Sequence, residues 1–187
     1  MLILTIDNLN EWGTPRLLNE STDQMHLMMQ EREPEKKYDI FLSHSYQDKK
    51  IAAQLRAKLV VEYQFSVFVD GIDAPELSRD EVTLETVASL RQAIMGCKCF
   101  LYLTTGTTSN SKWMPWELGF VEGQNNKAAI FPVLRQKFSS FHGHGYLGVY
   151  PYIGEAFAKQ MGKKYLWVNY PNGTSDTQEL NEWIKAP

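Results

Sequence analysis

The sequence predicts an α/β fold: a flavodoxin-like three-layer sandwich with a central five-stranded parallel sheet. Two patterns point to it. Short apolar runs that read as buried strands recur from Tyr38 onward. Between them lie stretches with apolar residues three and four apart, the spacing of one helix face. Strands that alternate with helices are parallel, because each helix returns the chain across one face of the sheet. Size agrees. The 187 residues, 43% hydrophobic and 22% charged, give one packed core plus an extension and exclude wholesale disorder.

Residues 1–37 read as an N-terminal extension and linker, and 38–187 as the domain proper. The extension is polar and irregular. It ends in Glu31-Arg-Glu-Pro-Glu-Lys-Lys37, a charged run broken by Pro34. Within it Thr22–Gln30 has the spacing of a short helix, with Met25, Leu27 and Met28 inward. Tyr38–Ser43 is the first strand. Asp48–Glu62 is a helix with Ile51, Ala52, Leu55 and Leu59 on one face and Asp48 as its cap. Phe65–Asp70 is the second strand, Gly71–Ser78 a loop, and Arg79–Met95 a helix with Val87, Leu90 and Ile94 inward. Cys97–Thr105 is the third strand and Gly106–Asn110 a turn. Ser111 caps a helix to about Gln124, since Pro115 is tolerated in a first turn. Ala128–Leu134 is the fourth strand. In the region that follows, Gly154–Met161 reads as a helical turn or two, Tyr165–Asn169 as the fifth strand and Asp176–Lys185 as a last helix with Leu180, Trp183 and Ile184 inward.

Composition excludes several classes. The net charge of -3 lacks the electrostatic footprint of a nucleic-acid binder. No segment approaches the ~20 apolar residues that span a bilayer. Met1–Ile6 is apolar but has no basic flank and is cut short by Asp7, so it does not read as a signal peptide. Cys97 and Cys99 are too close in sequence to staple a fold, which suits core positions and a reducing cytoplasm. His142 and His144 have no convincing third ligand nearby, so no metal site is expected.

In a parallel sheet, ligands bind outside the carboxyl ends of the strands. Three segments lie there. In Ser111-Lys-Trp-Met-Pro-Trp-Glu-Leu-Gly-Phe120, Trp113 and Glu117 are four apart and share a helix face. An indole can stack on a planar ring while the carboxylate binds sugar hydroxyls or stabilises positive charge at an anomeric carbon. The plainer reading is two core tryptophans and a glutamate that suits a helix N-terminus. In Phe41–Asp48, Ser43, His44 and Ser45 stand at a strand exit, where hydroxyls and an imidazole can meet ribose or phosphate, or serve as turn residues. No G-x-G-x-x-G is present, so the dinucleotide fingerprint is absent. The loop after the second strand carries Asp70, Asp73 and Glu76, which suit either a functional loop or a solvated one. The aromatic, glycine-rich Phe138–Tyr152 reads as a lid, with Tyr146 or Tyr150 on substrate, or as a surface loop packed by its own aromatics.

In this order the three segments resemble the Toll/interleukin-1 receptor (TIR) domain family. Tyr38–Ser45 is similar to its first strand and adjoining loop, Phe65–Asp70 and the following loop to its second strand and BB loop, and Ser111–Glu117 to its Ser-x-Trp-x-x-x-Glu helix. The wording Trp-Met-Pro-Trp-Glu-Leu-Gly is similar to stand-alone bacterial members. The likeness is good over Lys37–Leu134 and looser beyond.

Many bacterial, plant and axonal members cleave NAD at the nicotinamide–ribose bond, while animal receptor and adaptor members mainly scaffold. The resemblance implies the TIR fold, Glu117 as catalytic residue, Trp113, Ser43, His44 and Asp70 as substrate-binding residues, and no cofactor or metal. It implies a signal nucleotide in Thoeris-like anti-phage defence, read by a downstream effector. It also implies self-association through Gly71, Ile72, Pro75 and Ser78, with no nucleic-acid or membrane partner. Two other readings stand beside it: a non-catalytic TIR–TIR scaffold, and a nucleoside or nucleotide-sugar transferase on a similar sheet.

Overall fold

The structure, a computed structural model, describes residues 2–12, 38–73, 83–106, 111–124, 127–135, 141–159, 162–171 and 177–186. The core strands form where the sequence places its apolar runs: β2 (Tyr38–Ser43), β3 (Val67–Phe68), β4 (Cys97–Thr104) and β5 (Ala128–Leu134). Three helices follow the expected periodicity: α2 (Lys49–Val61), α4 (Leu84–Met95) and α5 (Trp113–Glu122). Thr83 caps α4 by accepting from the Thr86 N–H. The Ser111 hydroxyl accepts from the Met114 N–H at 3.3 Å, in the first turn of α5.

The sheet is larger than five strands and is mixed. Its order is β3-β2-β4-β5-β6-β7-β8, with β6 (Tyr152–Ala158), β7 (Lys163–Asn169) and β8 (Gln178–Glu179) beyond β5. Pairing is parallel from β3 to β6 and antiparallel from β6 to β8. The segment read as a helical turn after Gly154 is therefore strand β6, and the expected fifth parallel strand is β7, antiparallel to it. The physical reason is pairing over distance. Phe157 and Lys164 lie opposite each other across a hairpin, and a short run such as Glu155–Ala158 shows no such partner by its own periodicity.

Part of the N-terminal segment joins the same core. β1 (Leu4–Thr5) pairs in parallel with Val133 and Leu134 of β5, and Leu2 exchanges both backbone hydrogen bonds with Glu155 of β6. α1 (Ile6–Trp12) then lies against α2, where Gln54 Nε2 donates to Asn10 Oδ1 at 3.1 Å. This cover explains a departure from the amphipathic pattern: Gln54, Arg56 and Lys58 of α2 are buried along with its apolar stripe. The helix expected over Thr22–Gln30 lies outside the described residues.

Two apolar clusters sandwich the sheet. One joins Ile40, Leu42, Leu101, Leu103, Phe131 and Val133 to α1, α2 and α6 (Leu180–Lys185). The other joins Phe41, Phe100, Tyr102 and Ile130 to Leu90 and Ile94 of α4 and Met114, Leu118 and Val121 of α5. Cys99 belongs to the first, with Leu101 and Leu103, while Cys97, the first residue of β4, belongs to the second, although residues two apart in a strand ordinarily share a face. No helix among the described residues is long and apolar enough to cross a membrane.

Candidate active site

Ser43 ends β2 and lies directly opposite Tyr102 of β4 in the parallel register. Both side chains rise on the face that α5 covers. Glu117, one turn after Trp113, descends from α5 onto the same face and is fully buried. The Ser43 hydroxyl donates to Glu117 Oε2 at 2.5 Å, which joins two residues 74 positions apart. The bond fixes where the carboxyl group stands. The Tyr102 phenol stands nearby. Burial, the neighbouring Tyr146 hydroxyl and the Glu117 carboxylate together push its pKa well above the ordinary tyrosine value, so it stays protonated.

Trp113 is half-buried and packs against the α5-side cluster. Its ring meets Trp116 edge-on at 5.6 Å, and Trp116 stacks on Phe120 at 5.8 Å. The Arg91 guanidinium of α4 sits over the Trp116 and Phe120 rings, 5.7 and 5.6 Å from their centroids.

His44 and Asp70 come together at the ends of β2 and β3. Both are buried, with Nδ1 and Oδ1 3.8 Å apart, beyond direct hydrogen-bond range. Asp48, expected to cap α2, makes no side-chain cap. It accepts instead from Ser45 Oγ at 2.6 Å and from Thr105 Oγ1 at 3.2 Å, tying the loop after β2 to the end of β4. That braces the carboxyl edge next to Ser43.

The loop after β3 begins as one helical turn, α3 (Asp70–Asp73). Asp73 anchors it by pairing with the buried Arg56 of α2 at 2.8 Å and by accepting from the Val69 N–H at 2.7 Å. Ile72 packs against the core and Gly71 lies within the turn. Pro75, Glu76 and Ser78 lie outside the described residues. His142 and His144 are exposed, and among the described residues no group of three or more His, Cys, Asp or Glu is placed to hold a metal ion.

Ser43, Glu117 and the His44–Asp70 pair thus gather at one edge of the sheet. Tyr102 was missed by sequence reasoning. An aromatic inside an apolar strand reads as core, and only its register with Ser43 brings it to the site.

Comparison with known proteins agrees with the fold. Residues 40–180 match the family described as TIR domain. Over 133 residues the chain is 36% identical to a Bacillus cereus protein named "Probable 3' cyclic ADP-D-ribose synthase ThsB'", covering 71% of this chain and 68% of that one. The fold, the motif order and both matches lead to one statement: the chain belongs to the TIR domain family.

Proposed function

We propose that the chain cleaves NAD at the nicotinamide–ribosyl bond, with Glu117 as the catalytic residue. The observation that carries this reading is the buried Glu117 carboxylate held by Ser43 at the carboxyl edge of the sheet. Glycosidases ordinarily need two carboxyl groups, one of them an acid that protonates the leaving oxygen. Nicotinamide in NAD is already a cationic pyridinium and departs neutral, so one fixed carboxylate is enough. It stabilises the positive charge that develops at the anomeric carbon, an electrostatic effect that is largest where water is excluded. The chemistry assigns no step to a metal or cofactor.

Trp113, His44 and Asp70 are assigned to the substrate, with Trp113 beside the nicotinamide riboside. Ser43 is assigned to the carboxylate itself, as a positioning residue. What attacks the anomeric carbon sets the product. Water gives ADP-ribose, and a group of the same molecule gives a cyclic product. The Bacillus cereus relative is named for a cyclic ADP-ribose, and we assign a cyclic product here too, as a signal in anti-phage defence. Self-association through the loop that begins at Gly71 and Ile72 is part of the same proposal. Activity is then expected to rise more than linearly with protein concentration.

The test is chromatography with mass detection of NAD incubated with concentrated protein, beside Glu117→Gln. Nicotinamide from the wild type alone is the expected result, and its companion peak names the product. Release by both proteins would remove Glu117 from its role. Silence from both, across a wide concentration range, would favour a scaffold that works through TIR–TIR contacts.

A further inference from the structure

Two cap positions at the carboxyl edge hold residues that do not cap. Ser45 precedes the 3-10 turn Tyr46–Asp48, and Asp48 precedes α2. Serine and aspartate are preferred at such positions because their oxygens accept from the free N–H groups of a first helical turn. Neither side chain makes that bond. They bind each other instead. Ser45 Oγ donates to Asp48 Oδ2 at 2.6 Å, and the Asp48 N–H donates to the Ser45 carbonyl at 2.9 Å. The second carboxylate oxygen, Oδ1, accepts from Thr105 Oγ1 at 3.2 Å. Thr105 is the residue just past β4, and both hydroxyl residues are buried.

His44 lies between two serines that are each tied to a later part of the chain. Ser43, on one side, donates to Glu117 of α5. Ser45, on the other, is joined through Asp48 to Thr105, which stands between β4 and α5 in the chain. The backbone on both sides of His44 is therefore fixed against the segment that carries the carboxylate. The buried imidazole then faces Asp70, with Nδ1 and Oδ1 3.8 Å apart. A cap at Asp48 would serve α2 alone. The bridge to Thr105 serves the strand ends, where ligands of a parallel sheet bind.

We propose that Asp48 is the positioning residue of His44. By holding Ser45 and Thr105 together it sets where the imidazole stands against the substrate, and it acts only through His44. This inference rests on the proposed cleavage of NAD and on the assignment of His44 to that substrate.

The test uses the full chain. KM and kcat for NAD are measured for Asp48→Ala, Asp48→Asn and Thr105→Val, and for Asp48→Ala combined with His44→Ala beside His44→Ala alone. The dissociation constant for NAD is measured by calorimetry for the same changes in Glu117→Gln. Asp48→Ala is expected to raise KM and the dissociation constant about tenfold, with kcat altered less than twofold. Thr105→Val keeps the side chain's shape, removes one of the two bonds and is expected to raise both about threefold. Asp48→Asn keeps two hydrogen-bonding atoms on the bridge and is expected to restore most of the affinity. In the His44→Ala protein, Asp48→Ala is expected to add nothing, because the contact it positions is already gone.

Melting temperatures check the fold of every variant. A purely structural role would lower the melting temperature of Asp48→Ala and leave KM and affinity alone, which would overturn the inference. Equal losses with and without His44 would overturn it as well. Should Asp48→Ala fail to fold, Thr105→Val decides the matter by the same two readouts, alone and with His44→Ala. If the wild type cleaves NAD and these variants match its KM, only this inference fails. If the wild type neither cleaves nor binds NAD, the functional reading fails and takes the inference with it.

Discussion

Glu117 and Glu155 are both buried glutamates, yet the protein treats them differently. Glu155 of β6 sits in an ion cluster on the α2 face. Lys164 pairs with its Oε2 at 2.8 Å, Lys58 approaches its Oε1 at 3.4 Å, and the Tyr63 hydroxyl donates to the same oxygen at 2.6 Å. Lys58 also pairs with Glu62 and lies 5.5 Å over the Trp12 ring. Burial alone would raise the Glu155 pKa. The hydrogen bonds from Lys164 and Tyr63, with the Lys58 charge, outweigh that and hold it below its ordinary value. Glu117 accepts a hydrogen bond from the neutral hydroxyl of Ser43. A buried charge needs compensation. Where ammonium groups of the chain supply it, the carboxylate cross-links the fold: here β6 to α2, to β7 and, through Trp12, to α1. Under the proposed function, the carboxylate that Ser43 orients complements a cationic substrate.

The largest expected effect comes from exchanging each glutamate for its neutral isostere. Glu117→Gln is expected to lower the rate of nicotinamide release by ~10²–10³, with the melting temperature at or above that of the wild type. Glu155→Gln is expected to do the opposite. Denaturant unfolding should show a loss of about 2 kcal/mol, since a charged partner of two lysines and a phenol is gone, while kcat below the melting temperature is unchanged. A loss of activity in Glu155→Gln without loss of stability would break the comparison.

Ser43→Ala sharpens it. The fold is retained and kcat is expected to fall about tenfold, the effect of releasing one hydrogen bond to the carboxylate. Trp12→Ala is expected to cost about 1 kcal/mol in unfolding experiments, from the cation–π contact with Lys58, and to leave kcat as it was.

The smallest effect is in pH dependence. The folded-state pKa of Glu155 is depressed, so its contribution is present above its ordinary value of 4.5 and lost as pH falls through the folded value. Stability curves of the wild type and Glu155→Gln should be fully separated above about pH 4.5 and converge below it, as pH falls through the folded value. A separation that persists unchanged into strong acid would remove the Glu155 charge from the ion cluster's energetics.

The site was legible wherever a local rule governs it. A spacing of four puts Trp113 and Glu117 on one side of a helix whatever surrounds them. Apolar runs at Tyr38–Ser43, Cys97–Thr104 and Ala128–Leu134 have to be buried strands, and their carboxyl ends mark where a ligand binds. The sequence by itself therefore determined the α/β class, the order of the core strands and the position of the carboxylate at the sheet edge.

Tertiary structure decided the rest, because those features depend on partners far away in the chain. Ser43 looked like a residue lining the ribose or phosphate end, and it lies under Glu117, 74 positions on. Tyr63 and Glu155 meet across 92 positions, and nothing in the spacing of either foretells the other. β6 extends the sheet because β7 and Leu2 supply its backbone partners. Lys58 is buried because α1 folds over a face that periodicity alone would leave to solvent. Periodicity records which side of an element is apolar. It carries no record of which distant element covers that side, and that choice placed the Ser43 hydroxyl beside Glu117 and the Lys58 and Lys164 ammonium groups beside Glu155.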